Sequence, residues 1–427
     1  MMRTIFLAVS ASALLAQSGY ATEWHVLGAR ALGMGGTGVA SAEGPVSAYW
    51  NPAALGRSES PSGVQVPADA HVEITGQFLE GANDLHDIAN ACQASGGVAS
   101  GICQTSNINA ALGKINRADN GLRGDAAVGA HVKIKRLAVF VNNLAYIAGI
   151  PKADLTAANI TVANLATLNQ SKITLRGISV TEIGAGYGRE LPFLPGLFVG
   201  GNLKALVGKT GYYDFLLRTD SPGSSNALRK YLDGAKTSVQ PGVDLGVLWD
   251  VHRTIEVVPM HPRVGLTARN INNPKFDNPD QAKLAGERNK YSLQGNTRLG
   301  VAISPLGFWN IAADADLTRN LTPVDGVASQ NVSLGTEINV FNRNWLNIPL
   351  RAGLTRNMAL TGSKTALTGG FGLNFLHVTA DLSAMVSPAT VQVKSQEKTE
   401  KIPSSISVAA QVGVLFGGGK EEAKKTE

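Results

Sequence analysis

The feature that most constrains this chain is a period-two alternation of apolar and polar residues, repeated segment after segment through its C-terminal half. From Asn310 to Thr318, Asn310, Ala312, Asp314, Asp316 and Thr318 share one face, and Ile311, Ala313, Ala315 and Leu317 share the other. Val332, Leu334, Thr336, Ile338 and Val340 then oppose Ser333, Gly335, Glu337 and Asn339. Leu350, Ala352 and Leu354 oppose Arg351, Gly353 and Thr355, and Leu367, Phe371, Leu373 and Phe375 oppose Thr368, Gly370, Gly372 and Asn374. Val378, Ala380 and Leu382 oppose His377, Thr379, Asp381 and Ser383, and a final run from Ser405 to Phe416 puts Ile406, Val408, Ala410, Val412, Val414 and Phe416 on one apolar face. Alternate side chains of a strand point to opposite faces, so each run reads as a strand with one apolar and one polar side. A looser version recurs at 69–77, 124–134, 136–146, 172–189, 196–208, 240–252, 258–271 and 293–304, which gives about fourteen strands in all.

Beyond the first 21 residues no apolar run approaches the ~20 residues of a spanning helix, and mean hydropathy is +0.03. A transmembrane barrel averages out in this way because its strands are apolar outside and polar inside. The polar faces carry Glu182, Lys204, Asp244, Arg263, Arg269, Arg298, Asp314, Asp316, Glu337, Arg351 and Asp381. Unpaired, these charges cannot sit in a dry core, so they suit water outside a soluble sheet or a wet lumen. The high, even strand count and the small residues on the polar faces (Gly246, Gly265, Gly335, Gly353, Gly370) favour the barrel. So do the loops. Short turns near 305–307 and 341–344 alternate with long excursions at Phe78–Leu122, Ala148–Gln170, Thr210–Thr237 and Asn272–Tyr291. Helical spacing appears in those excursions at Leu85, Ile88 and Ala89, at Ile108, Ala111, Leu112 and Ile115, and around Leu216, Leu217, Leu228 and Leu232. These apolar faces are expected to pack on the barrel rim.

The N-terminus reads as an export signal: Arg3, an apolar run from Ile5 to Leu15, then Gly19-Tyr20-Ala21 as a small-residue cleavage site. Cleavage after Ala21 starts the mature chain near Thr22; cleavage after Ala16 is the alternative. The net charge of +6 is spread without basic blocks, which argues against a nucleic-acid partner. Cys92 and Cys103 are the only cysteines. In an oxidising compartment they are expected to close a disulfide contributing ~2–3 kcal/mol.

The glycine-rich stretch from Gly28 runs “GARALGMGGTGVASA” and is followed by “SAYWNPAALG” from Ser47. Gly33, Gly35 and Gly38 match G-x-G-x-x-G, but no strand precedes them and no βαβ unit follows, so a dinucleotide site is rejected. The glycines serve tight turns and close backbone packing instead. The two stretches resemble the FadL-type outer-membrane transporter superfamily, and within it the conjugal-transfer TraF-like outer-membrane proteins. “PRVGLTARNINNPKF” from Pro262 and “LRAGLTRN” from Leu350 extend the resemblance over most of the mature chain, although only the N-terminal motif is specific. The resemblance implies a fourteen-stranded, up-and-down antiparallel barrel with its N-terminal segment folded inside as a hatch. Its motif residues are Gly33, Gly35, Gly36, Asn51, Pro52 and Ala53. Asn51, held extended before Pro52, would cap or brace the hatch against the wall.

The expected organisation is therefore a signal peptide (1–21), a hatch (22–62), an outer-membrane barrel (63–417) and a charged tail (418–427). Gln411, Gly413 and Phe416 partly match the terminal signal read by barrel-assembly machinery, although the tail continues past it. No cofactor, metal set or enzyme motif is present: H-E-x-x-H and G-x-S-x-G are missing. His377, Asp381 and Ser383 line up along one strand face without converging. The expected function is passage of small molecules, hydrophobic ones among them, across the outer membrane through a plugged lumen. The alternative is an accessory role in an envelope machine, with secretion or conjugation components as partners. Outer-membrane lipid and the assembly machinery are the partners common to both.

Overall fold

The computed structural model describes residues 22–94, 105–155, 170–216, 226–343, 345–394 and 398–417. The expected signal peptide and charged tail, Cys103 and Leu217 lie outside the described residues. Fourteen strands close into one antiparallel barrel. In chain order they are β1 (Ser62–Thr75), β2 (Gly121–Ile134), β3 (Leu137–Lys152), β4 (Lys172–Glu190) and β5 (Leu197–Leu216). There follow β6 (Lys236–Asp250), β7 (Arg263–Arg269), β8 (Asn296–Leu306), β9 (Trp309–Asp316) and β10 (Asn331–Asn342). The last four are β11 (Leu346–Asn357), β12 (Ala366–Phe375), β13 (Val378–Val386) and β14 (Ser405–Phe416). Each pairs with its neighbour in sequence, and β1 closes the wall on β14, with Ser62 opposite Phe416 and Glu73 opposite Ser405.

Every expected strand is present, and several ends differ. β1 starts at Ser62, well before residue 69, because outward Val64 and Val66 continue the apolar face that ends at Val72. Ala148–Lys152 and Thr210–Leu216 extend β3 and β5 and are not loop. Residues 258–262 leave the ladder, with Met260 and His261 at φ of 67° and 45°. Polar and apolar faces separate as the alternation requires. Phe371, Leu382, Val408 and Val412 are all about half exposed on the outer face, whereas Ser333, Glu337, Asp381 and Gln411 are buried on the inner one. An apolar outside on a closed sheet leaves no edge and presents lipid with a matched surface.

The long connections lie at one end of the barrel. Helices Phe78–Ala94 and Thr105–Ile115 pack together through Ile88, Cys92, Ile108, Ala111 and Leu112. Asn83 donates to Gln392 O at 2.9 Å, which ties this pair to a small hairpin of Thr390–Lys394 and Thr399–Pro403. A short helix, Asn226–Asp233, sits on β5, but not through the leucines expected to do so. Leu228 and Leu232 are 53% and 47% exposed, and Tyr231 is the residue buried. Its ring occupies the space a side chain at Gly211 would fill, with an added Cβ only 2.3 Å away. Leu216 belongs to β5.

Arginine placed mid-strand on the outer face should be costly in lipid. Leu382→Arg is expected to destabilise the barrel by ~2–4 kcal/mol in reversible unfolding from phospholipid vesicles. The same change at exposed Leu284, in the loop region, should move stability by less than about 0.5 kcal/mol.

Candidate functional site

Fourteen strands enclose more space than their own inward side chains fill. Residues 22–61 occupy it. The segment folds as a short helix Ala29–Gly33, another at Ser47–Trp50 and a 3-10 turn Pro52–Gly56. Trp24, Leu27, Tyr49 and Trp50 are buried there with Leu144, Tyr146, Ile178, Leu206 and Phe276 of the surrounding structure.

The glycine motif lets two backbones meet. Gly35 has φ +74°, and a Cβ on it would stand 2.6 Å from Leu354 O and 2.7 Å from Leu334 O. The wall answers with its own glycines: a Cβ on Gly335 would lie 2.1 Å from Met34 O, and one on Gly353 would lie 2.3 Å from Gly35 N. Gly33 abuts Arg351 and Gly370, and Gly36, at φ +90°, faces Val26 and Ser333. Thr368 Oγ1 donates to Gly33 O and accepts from Gly35 N, both at 3.0 Å. Asn51 is extended at φ −157° and ψ 105°, and its side chain accepts from Ala53 N, capping the turn that Pro52 opens. Its amide donates to Val39 O at 3.1 Å and to Val247 O of β6 at 3.0 Å. Pro52 and Ala53 lie against Gly200 and Gly246, and Ala53 is completely buried.

The eleven expected lumen charges are all buried and all inward. They face each other and the segment. Glu337 accepts from Arg30 twice at 2.9 Å and from Arg351 at 2.7 Å; Arg351 also holds Asp381 at 2.7 Å. Glu182 takes Lys204 at 3.1 Å and Arg269 at 2.9 Å, and Lys204 reaches Asp244 at 2.9 Å. Arg298 pairs with Asp316 at 2.6 Å and donates to Gly36 O. Asp314 accepts from the backbone of Gly38 and Val39 at 2.8 and 3.0 Å. Arg263 reaches Glu43 at 3.4 Å. The Arg269 guanidinium also lies 3.7 Å from the Tyr49 ring centre and Arg298 5.0 Å from that of Trp24, so aromatic faces of the segment take part in holding the cations. His377 sits apart from Asp381 and Ser383: it is exposed in the turn before β13, with Nδ1 at Leu415 O.

One cluster escaped the sequence reading. Asp69 and His71 on β1, Asp125 on β2, His25 of the segment and Ser405 on β14 form a continuous polar line. His25 pairs with Asp69 and lies 3.2 Å from Asp125; Asp125 meets His71 Nδ1 at 2.8 Å; His71 Nε2 meets Ser405 Oγ at 2.9 Å. Arg123 holds Glu23 at 2.9 Å and also pairs with Glu73. Burial alone would lower the His25 pKa, but the Asp69 and Asp125 carboxylates more than reverse this and push it up to about 10. Glu23 is pushed up by burial, with Arg123 opposing. The signal for this cluster was present: Asp69, His71 and Glu73, like Arg123 and Asp125, alternate on one face. These groups line a cavity of about 450 Å³ between the segment and the wall, to which Leu32, Ile74, Leu360 and Met385 also contribute.

The family model described as “F plasmid transfer operon, TraF, protein” matches residues 48–316. No functionally curated protein matches the chain in sequence. Among solved structures, the “TodX monoaromatic hydrocarbon channel deltaS2 mutant” is similar at 12% identity and a TM-score of 0.50, over 92% of this chain and 100% of that one. The Ralstonia pickettii toluene transporter TbuX gives 12% identity and 0.47, over 91% and 98%. A Pseudomonas aeruginosa FadL homologue gives 9% and 0.48, over 94% and 100%. The shared feature is the fold, a closed β-barrel.

Two substitutions probe how the segment is held. Gly353→Ala should displace the stretch around Gly35 and cost ~1–3 kcal/mol, read as new protease cleavage within 22–61 while the barrel stays intact. Glu337→Gln removes the charge that half-buried Arg30 and buried Arg351 share and should cost ~3–5 kcal/mol in denaturant unfolding.

Proposed function

The chain belongs to the TraF family of the F plasmid transfer operon, and we propose that it is a plugged conduit of the outer membrane, exported by its N-terminal signal, with residues 22–61 as the hatch. The observation that carries this reading is how the lumen is filled. The filler contributes no strand to the wall. It is held by ion pairs, hydrogen bonds and glycine contacts, which can be exchanged without unzipping the barrel. The adjoining cavity, at about 450 Å³, has the size of a small-molecule site. Its lining is acidic on one side and apolar on the other, which suits a compact molecule with an apolar body and a polar or cationic end. The apolar outer face supports residence in lipid.

An accessory role in an envelope machine is the second reading. The family description favours it, and so do Phe193 and Val257, which are 80% and 88% exposed at the end with the short turns, where a partner on the inner side would dock.

Conductance and solute-uptake measurements in proteoliposomes separate the two. A gated conduit passes little current as the parent protein and several-fold more as Glu337→Gln or Asp314→Asn, each of which loosens the hatch. If neither variant passes ions or small aromatic amines above protein-free vesicles, while Phe193→Ser abolishes co-purification of envelope components, the accessory reading replaces transport.

A further inference from the structure

Among the described residues, two charged sets inside the barrel are balanced. Lys204 and Arg269 face Glu182 and Asp244; Arg30 and Arg351 face Glu337 and Asp381. Asp314, beside the Arg298–Asp316 pair, accepts two backbone N–H groups at Oδ2 and leaves Oδ1 without a hydrogen bond. At the cavity, four carboxylates (Glu23, Asp69, Glu73, Asp125) face one guanidinium, that of Arg123, and two imidazoles, His25 and His71, so acids outnumber bases by one even with both imidazoles charged. In addition, Asp69 Oδ2 is buried and accepts no hydrogen bond, although the Asp69 side chain is only 6% exposed. That oxygen and the excess of acid both point to a missing positive charge.

Three of the residues are arranged to supply ligands. Glu23, His71 and Asp125 each present one donor atom, and these atoms all lie within 4.8 Å of one another. They come from three separate elements, the luminal segment, β1 and β2. Each is already oriented by a neighbour. Ser405 Oγ stands 2.9 Å from His71 Nε2, where its hydroxyl can accept from Nε2–H and leave the Nδ1 lone pair for a metal. Arg123 holds Glu23, and His25 lies 3.2 Å from the second oxygen of Asp125. An imidazole whose far nitrogen donates to oxygen is the usual outer arrangement of a metal-binding histidine.

We propose that Glu23, His71 and Asp125 form a binding site for a divalent transition-metal ion of the zinc or cobalt type. The ion takes the place of the proton now shared between His71 Nδ1 and Asp125 Oδ1, 2.8 Å apart, and that proton leaves to water. Side-chain adjustments of about an ångström bring the donors to the ~2.0–2.2 Å of such bonds, with water completing the shell. The imidazole selects against calcium and magnesium, which prefer oxygen throughout. Bound there, the ion would fasten the start of the luminal segment to the wall. The site stands whether or not the barrel conducts anything.

The test uses the full-length refolded barrel, with Co²⁺ and Zn²⁺ alone as probes. The expected result is one equivalent of Co²⁺ giving visible d–d absorption, displaced by Zn²⁺ and unaffected by excess Ca²⁺. His71→Ala and Asp125→Asn should weaken binding at least a hundredfold, and Ser405→Ala about ten- to a hundredfold. Heat-modifiable gel migration checks that each variant forms the barrel. If His71→Ala does not fold, Ser405→Ala and the parent spectrum decide. The proposal fails if the parent gives no Co²⁺ spectrum at millimolar metal, if Ca²⁺ competes as well as Zn²⁺, or if Ser405→Ala and Asp125→Asn bind like the parent. Failure by any of these routes leaves the conductance result untouched.

Discussion

A charge turned into a barrel needs either water or a partner, and in this lumen the partners are other charges of the wall together with the chain's own N-terminal segment. Glu337 shows why the rest depends on that constraint. It is buried on β10 between Arg351 of the wall and Arg30 of the segment, a residue 307 positions earlier in the chain. Without the segment, Arg351 would have to balance Glu337 and Asp381 alone. Without the wall, Arg30 would lose both of its bonds to Glu337 and keep only the one to Ser41 O. Truncating one member of a buried set costs more than the set itself contributes, so the arrangement specifies where the segment lies more than it stabilises the barrel.

Glycine supplies the other half of that specification. Ion pairs across a lumen can hold a segment at several heights, but backbone contact cannot. Gly35 fits against Gly353 and Gly335 only where neither side carries a Cβ, and its φ of +74° is open to glycine at little cost. The Asn51 amide performs the same service further along, bonding Val39 within the segment and Val247 in the wall at once. Position is thus fixed at two places by groups that tolerate little displacement, and the charged pairs fill in between.

The wall was legible in the sequence because a strand declares itself locally. Ile406 to Phe416 alternates over a stretch short enough to read directly, and its neighbours do the same. Ends were harder. β1 hid its first residues because Pro67 and the small Ala68 and Ala70 dilute the pattern. Residues 258–262 looked like strand until two positive φ angles turned the chain. The glycine motif was legible as a packing device, and Asn51 as an extended residue before proline. Which glycine meets which was not, because nothing in the order of residues places Gly35 beside Gly353.

The same limit explains the misreading of the lumen. Inward charges on alternating strands look like the lining of a watery channel, since a sequence shows each charge without its partner. Arg269 looks solvent-seeking until Glu182 is placed at 2.9 Å and the Tyr49 ring at 3.7 Å. Polarity of a barrel interior is therefore no measure of its wetness; the balance of charges after folding is. By that measure many of the described charges inside this barrel are balanced in pairs. Acid is in excess where His25, His71 and their carboxylates border the cavity, between the aromatic core and the end of the barrel that carries the long loops.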